Sequence, residues 1–270
     1  MRACPLVLVL GACALLAGCA TQASPKASPS ELRADEVRKE MEVGEAALAR
    51  IAGERGVVRD EESTVYLTTF LRSLALFSSR QELTYHAAIL DEDAPTAYSL
   101  PGGYVLVSKG LLRSVQSPGA LAGVLAHELG HVDMRHVLEN VTIQVSMSPL
   151  ETLARFLAGS RQVITGAIDQ VNDKIEERLF IEGFAASDEY AADAYALRLL
   201  QALGLSAEDY VSYLKSLEAR EGEVELEALD RTHPPLARRV EALEASIERG
   251  LPPVRSDEGF QRLRERAATF

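Results

Sequence analysis

Residues 127–131 read His-Glu-Leu-Gly-His, set in an otherwise apolar run over 121–132. The spacing decides how this stretch must fold. His127 and His131 are four apart, so an α-helix brings both imidazoles to one face, about one turn from each other. Two neutral imidazoles so placed can grip one Zn²⁺, and Glu128 then stands beside the ion as a base for its water. Ser117-Pro118 supplies the start of that helix, a serine able to cap and a proline suited to the first turn. Leu121, Val124, Leu125, Leu129, Val132 and Val137 line it.

A tetrahedral zinc held by two histidines needs a third protein ligand and leaves its fourth position to water. A third histidine at the spacing His-Glu-x-x-His-x-x-Gly-x-x-His is absent, because Met134 and Val137 hold the later positions. His136 lies about half a turn around a continuous helix from His127, which makes it a packing or polar-contact residue facing away from the metal. The better ligand is Glu189, in Asp188-Glu189-Tyr190-Ala191-Ala192-Asp193, where small neighbours allow close helix approach. Asp193, one turn later, can accept the spare N–H of a ligand histidine and fix its tautomer. Glu-x-x-x-Asp by itself is common on solvated helix faces, but following His-Glu-x-x-His it is a strong signal; Asp188 is the rival ligand.

Working outward, residues 31–53 read as an amphipathic helix and 62–78 as a second. Residues 83–90 and 96–100 are strand candidates, Pro101-Gly102-Gly103 is a turn, and Tyr104-Val105-Leu106-Val107-Ser108 is a β-rich strand. Helical patterns follow over about 149–158, 161–180, 188–203, 207–220 and 235–249, and the charged segment after Pro253 reads as a fraying tail. The expected fold is α+β and mainly helical: a gluzincin-type metallopeptidase domain with a small antiparallel sheet beside the His-Glu-x-x-His helix. His86, on the first strand, reads as an ordinary half-exposed residue.

The N-terminus reads as a processing signal. Arg2 precedes an apolar run over 5–17 that is too short to span a bilayer comfortably. It ends in Leu16-Ala17-Gly18-Cys19, which resembles a bacterial lipoprotein signal with Cys19 as the lipidated residue. The expected organisation is a signal peptide over 1–18, a flexible tether over 19–30, a metallopeptidase domain over 31–250 and a tail over 251–270. Cys4 and Cys13 would leave with the signal. Ala20 and Thr21, with no aspartate, fit sorting to an outer membrane, facing the periplasm. The net charge is −12, and the signal removes Arg2 but no acid, so charge draws the chain to neither nucleic acid nor anionic lipid.

Five stretches carry a family resemblance: Glu42-Val43-Gly44-Glu45-Ala46; Leu100-Pro101-Gly102-Gly103-Tyr104 with Ser108-Lys109-Gly110-Leu111-Leu112; Leu125 to Val132; Asp188 to Asp193; and Thr232-His233-Pro234-Pro235 with Arg239. In this order they resemble the HtpX and CAAX-prenyl-endopeptidase family of zinc metallopeptidases, within it the periplasmic lipoprotein branch. The resemblance implies one Zn²⁺ per chain on His127, His131 and Glu189, with Glu128 as general base. It brings His233 near the metal, as an oxyanion donor or a latch, and Arg239 close by to stabilise charge; on the residues alone, His233-Pro234-Pro235 could equally start the last helix and Arg239 pair with any acid. An extended substrate is expected to add a strand along Tyr104, Val105, Leu106 and Val107. The expected partners are unfolded or misassembled envelope proteins as substrates and the membrane through the lipid, with no nucleic acid. Thr96-Ala97-Tyr98-Ser99 departs from the family's usual Asn-Ala-Phe-Ala. Two other functions stay open: a chaperone-like or assembly lipoprotein with a latched site, and a zinc hydrolase acting on a non-peptide envelope substrate.

Overall fold

The computed structural model describes residues 29–144, 161–220, 222–223, 226–247 and 250–270. The segment expected to be a signal peptide, Cys19, nearly all of the expected tether and the helix expected over 149–158 lie outside the described residues. The described residues open with α1 (Pro29–Arg55) and α2 (Glu61–Ala75), followed by β1 (His86–Leu90), β2 (Ala97–Leu100) and β3 (Tyr104–Ser108). Helices α3 (Lys109–Ser114), α4 (Pro118–Asp133), α5 (His136–Gln144) and α6 (Arg161–Glu177) come next, the last running into a π turn at Arg178–Glu182. Then come α7 (Ala186–Ala202), α8 (Glu208–Glu218), α9 (Glu227–Thr232), α10 (Leu236–Ser246) and α11 (Glu258–Ala267).

Helix α4 is the centre of the molecule. Ser117 caps it by accepting from the Ala120 amide at 3.1 Å, with Pro118 in the first turn. Every residue from Pro118 to Val132 is buried. A helix apolar on all sides belongs in a core, and α7, α8, α2 and β2 surround it. Gly123 makes one of these contacts possible, because a Cβ there would sit 2.2 Å from Cβ of Tyr210 on α8.

The sheet has the order β1-β3-β2 and is mixed, where the sequence suggested an antiparallel one. β2 pairs antiparallel with β3 through the Pro101–Gly103 turn, which needs Gly102 at φ 79°; β1 pairs parallel with β3. The hairpin returns the chain between β1 and β2, so β3 runs parallel to the strand it meets second. Alternate side chains divide between two cores. Ala87, Ile89, Ala97, Val105 and Val107 join the main core around α4. Leu90, Tyr98, Leu100 and Leu106 join a second core with Ala47 and Ile51 of α1, Val137 of α5 and Ile175 of α6.

Two expectations fail here. Because β3 is paired on both sides, Tyr104, Val105, Leu106 and Val107 have no free edge on which a substrate could add a strand. The edge strand beside α4 is β2 instead. The presumed tail forms α11, whose Phe260, Leu263 and Ala267 make a narrow apolar stripe buried against α2 and α3. Charged neighbours hide that stripe in the sequence, and the folded unit extends through it.

Helix α1 is clamped rather than merely laid on. A Cβ at Gly44 would fall 1.8 Å from the Pro101 carbonyl oxygen, so only glycine permits this contact. Buried Glu40 accepts from both Arg80 terminal nitrogens, at 3.2 and 2.9 Å, and from the Gly102 amide at 3.3 Å, and it pairs with Arg135 at 3.3 Å.

Asp60 ties α2 to α11. Its carboxylate caps α2 by accepting from the Ser63 amide at 2.9 Å, and it accepts from Arg266 of α11 at 2.8 and 2.9 Å. The Arg266 bond, then the Ser63 amide, hold its carboxyl well below the usual carboxylate range against the opposing effect of burial. A depressed folded-state pKa contributes stability that is present above the unfolded-state value of about 3.9 and lost as pH falls toward the folded one. Asp60→Ala should therefore cost about 1–2 kcal/mol at neutral pH. In urea titrations the gap to wild type should be constant above about pH 5 and narrow below about pH 4.

Candidate metal centre

Helical spacing on α4 and α7 builds the site. His127 and His131 leave α4 one turn apart, with Nε2 atoms 3.1 Å from each other. Facing them from α7, Glu189 places Oε2 3.6 Å from Nε2 of His127 and Oε1 3.5 Å from Nε2 of His131. Ligands about 2.0–2.1 Å from a tetrahedral zinc stand roughly 3.3 Å apart, so these three separations fit one ion. The three residues are buried, and among the described residues they form the single such donor group.

Glu189 gives a second, independent test of fit. Its side chain has no exposure, and neither carboxylate oxygen has a hydrogen-bond partner. A buried carboxylate without hydrogen bonds is costly, and a cation among these donors would offset that cost. Burial works against its charge, but His233, His127 and Arg239 prevail and hold its pKa well below the usual carboxylate range. Asp188, the rival ligand, instead accepts from Asn140 at 3.1 Å.

Around the donors lies a ring of buried polar groups centred on Asp193. Its Oδ1 lies 2.9 Å from Nδ1 of His127 and accepts from the Tyr210 hydroxyl at 2.9 Å. Arg239 of α10 donates to both oxygens, at 2.9 and 2.7 Å, and reaches Oε2 of Glu189 at 3.6 Å. Asp193 stays ionised because Arg239 outweighs the burial that opposes its charge. Burial and Arg239 press His127 toward neutrality, yet Asp193 and Glu189 win and raise its pKa to about 9. A cation held here would displace that proton, since ligand imidazoles bind metal in the neutral form. His131 is driven well below its ordinary value, first by burial.

Glu128 is buried beside the donors, and burial pushes its carboxyl up to about 7. It borders a small recess that Thr96, Ala97, His127 and His233 also line. His233, at the end of α9, puts Nε2 3.7 Å from Glu189 and Nδ1 2.9 Å from the Thr232 hydroxyl. His136 does not face away as the sequence suggested. The α4 helix ends at Asp133, Arg135 takes a left-handed conformation (φ 57°), and α5 carries His136 back to 2.9 Å from His131. The structure thus gathers His127, Glu128, His131, Glu189, Asp193, His233 and Arg239. Tyr104, Val105, Leu106 and Val107 stand in the sheet, and His86 is exposed on β1, 3.3 Å from Arg72. Tyr210 escaped the sequence reading: with Tyr213, Leu214 and Leu217 it completes an ordinary apolar helix face, and nothing there marks its hydroxyl as used.

Residues 61–247 match the family described as Peptidase family M48. The chain belongs to that family. Among its relatives, the "Beta-barrel assembly-enhancing protease" of Escherichia coli (strain K12) is 24% identical over 67% of this chain and 38% of its own length. The "Mitochondrial metalloendopeptidase OMA1" of Schizosaccharomyces pombe is 25% identical over 71% of this chain and 55% of its own length. The chain therefore spans about two-fifths to just over half the length of these relatives, and the family match leaves α1 and α11 outside. No described helix is long and apolar enough to cross a membrane.

Removing one member of a buried ion pair strands the other charge. Arg239→Leu should destabilise the metal-free protein by about 3–5 kcal/mol, with part recovered in the Asp193→Asn/Arg239→Leu double variant. Urea denaturation of the four proteins of this cycle measures it, and a loss below about 1 kcal/mol would show that solvent reaches the pair.

Proposed function

We propose that this M48 chain is a zinc-dependent endopeptidase of the bacterial cell envelope, acting on unfolded or misassembled envelope proteins. The observation that carries the peptidase reading is the buried Glu128 carboxyl, next to the donor group and lining a recess with His127. A zinc bound by His127, His131 and Glu189 would supply a Lewis acid that polarises the scissile carbonyl and acidifies the attacking water.

The side chains perform the rest. Glu128 removes the water's proton with its carboxylate and returns it to the leaving amine; a carboxyl whose pKa lies near 7 suits both transfers. Asp193 takes the Nδ1 proton of His127 in a hydrogen bond, and Arg239 and Tyr210 hold Asp193 in place. When the Thr232 hydroxyl donates to Nδ1 of His233, that ring carries its proton on Nε2, turned toward the reacting centre as a donor to a developing oxyanion. An extended substrate would run beside edge strand β2, whose Ala97 borders the recess next to Thr96.

The envelope assignment draws support from the lipoprotein-like sequence ending at Cys19 and from relatives named for assisting β-barrel assembly. Backbone pairing to an edge strand selects extended chain over any one sequence, which suits unfolded substrates. A second reading, an assembly lipoprotein with a latched site, draws on His233 lining the recess 3.7 Å from Glu189.

Zinc-loaded protein should cleave casein, while Glu128→Gln should keep its zinc and lose at least about 10²-fold in rate. A fully active variant would contradict the mechanism. Zinc bound without cleavage by either protein would favour the latched reading.

A further inference from the structure

We propose that His136 is a positioning residue for the metal site: its imidazole accepts the Nδ1 proton of His131 and so turns Nε2 of His131 toward the ion. The proposal rests on the reading of His127, His131 and Glu189 as the metal ligands.

The geometry requires a division of roles. The Nδ1 atoms of the two buried rings lie 2.9 Å apart, so one donates and the other accepts. His131 turns Nε2 toward Nε2 of His127 at 3.1 Å and Oε1 of Glu189 at 3.5 Å. A ring that binds a cation through Nε2 needs its lone pair there, and when neutral it keeps its proton on Nδ1. His136 must then accept at Nδ1 and carry its own proton on Nε2. His127 obeys the same logic with Asp193 as acceptor. Each α4 histidine thus has its own outer acceptor, a carboxylate for one and an imidazole for the other.

The backbone pays a conformational penalty to bring His136 there. An unbroken α4 would carry it away from His131. The chain instead breaks at Arg135, whose φ of 57° is uncommon for a side chain of this size. The break is braced on two sides. Arg135 pairs with Glu40 of α1 at 3.3 Å, and Asn140 ties α5 to α7 by bonding the His136 carbonyl at 2.8 Å and Asp188 at 3.1 Å. Phe184 stacks on the His131 ring, with centroids 4.4 Å apart. A residue present only for packing would need none of this alignment between two ring nitrogens.

The test compares the full-length protein with His136→Gln, which retains an acceptor, and His136→Met, which fills space without a strong one. Each is stripped of metal and titrated with zinc against a chromogenic chelator, with the melting temperature of the metal-free form followed in parallel. His136→Met should weaken zinc binding about 10–100-fold, and His136→Gln should recover most of that loss. Zinc affinity of His136→Met within twofold of wild type, or equal weakening in both variants, would overturn the proposal. ¹⁵N spectra of the zinc-loaded wild type need no variant: His131 protonated on Nδ1 and His136 on Nε2 is the expected pattern, and the reverse on either ring would refute it. A wild type that binds no zinc would overturn the metal reading itself, and this proposal with it.

Discussion

A carboxylate with no exposure and no hydrogen-bond partner is the constraint on which this molecule turns. Glu189 lies in the core with neither oxygen hydrogen-bonded, and a protein tolerates such a group only where positive charge meets it. Nitrogen donors approach it from three directions: the two α4 imidazoles, His233 after α9 and the cationic Arg239 on α10. Helices α4 and α7 must therefore run close together with small residues between them. Helix α10 must bring a guanidinium across, and α8 must press Tyr210 onto Gly123 to finish the ring around Asp193. The fold is arranged to make one expensive charge affordable.

The outer layers serve the same end. The alternation of β1, β2 and β3 supplies one face to the α4 core and the other to a second core under α1, α5 and α6. α1 lies outside the part of the chain that matches peptidase family M48, yet Glu40 and Gly44 reach the Pro101–Gly103 turn, and Glu40 also reaches the break at Arg135. α11, also outside that match, is locked to α2 through Asp60 and Arg266. These two clamps are electrostatic and steric, and both converge on elements that pack against α4.

What the sequence made legible follows from local periodicity. His127 and His131, and Glu189 and Asp193, are pairs four residues apart on helices, so their shared faces could be read without knowing the tertiary structure. The serine cap of α4 and the limits of β3 were equally local. What escaped was set by the chain leaving its own period. His136 was placed by extending α4 past Asp133, whereas Arg135 breaks the helix and reverses the ring's direction. The central place of β3 depends on which strand it meets across space, and three strand segments in a row carry no mark of that order. The stripe on α11 holds three apolar residues among charges and is visible only once α2 and α3 provide its partner.

The central claim is that His127, His131 and Glu189 enclose one zinc ion. Anomalous diffraction at the zinc edge, on crystals of the zinc-loaded protein, tests it most directly. The account predicts one strong peak about 2.0–2.2 Å from Nε2 of both histidines and from a Glu189 oxygen. Density for the three side chains at saturating zinc with no peak among them, or a peak held by other residues, would contradict it.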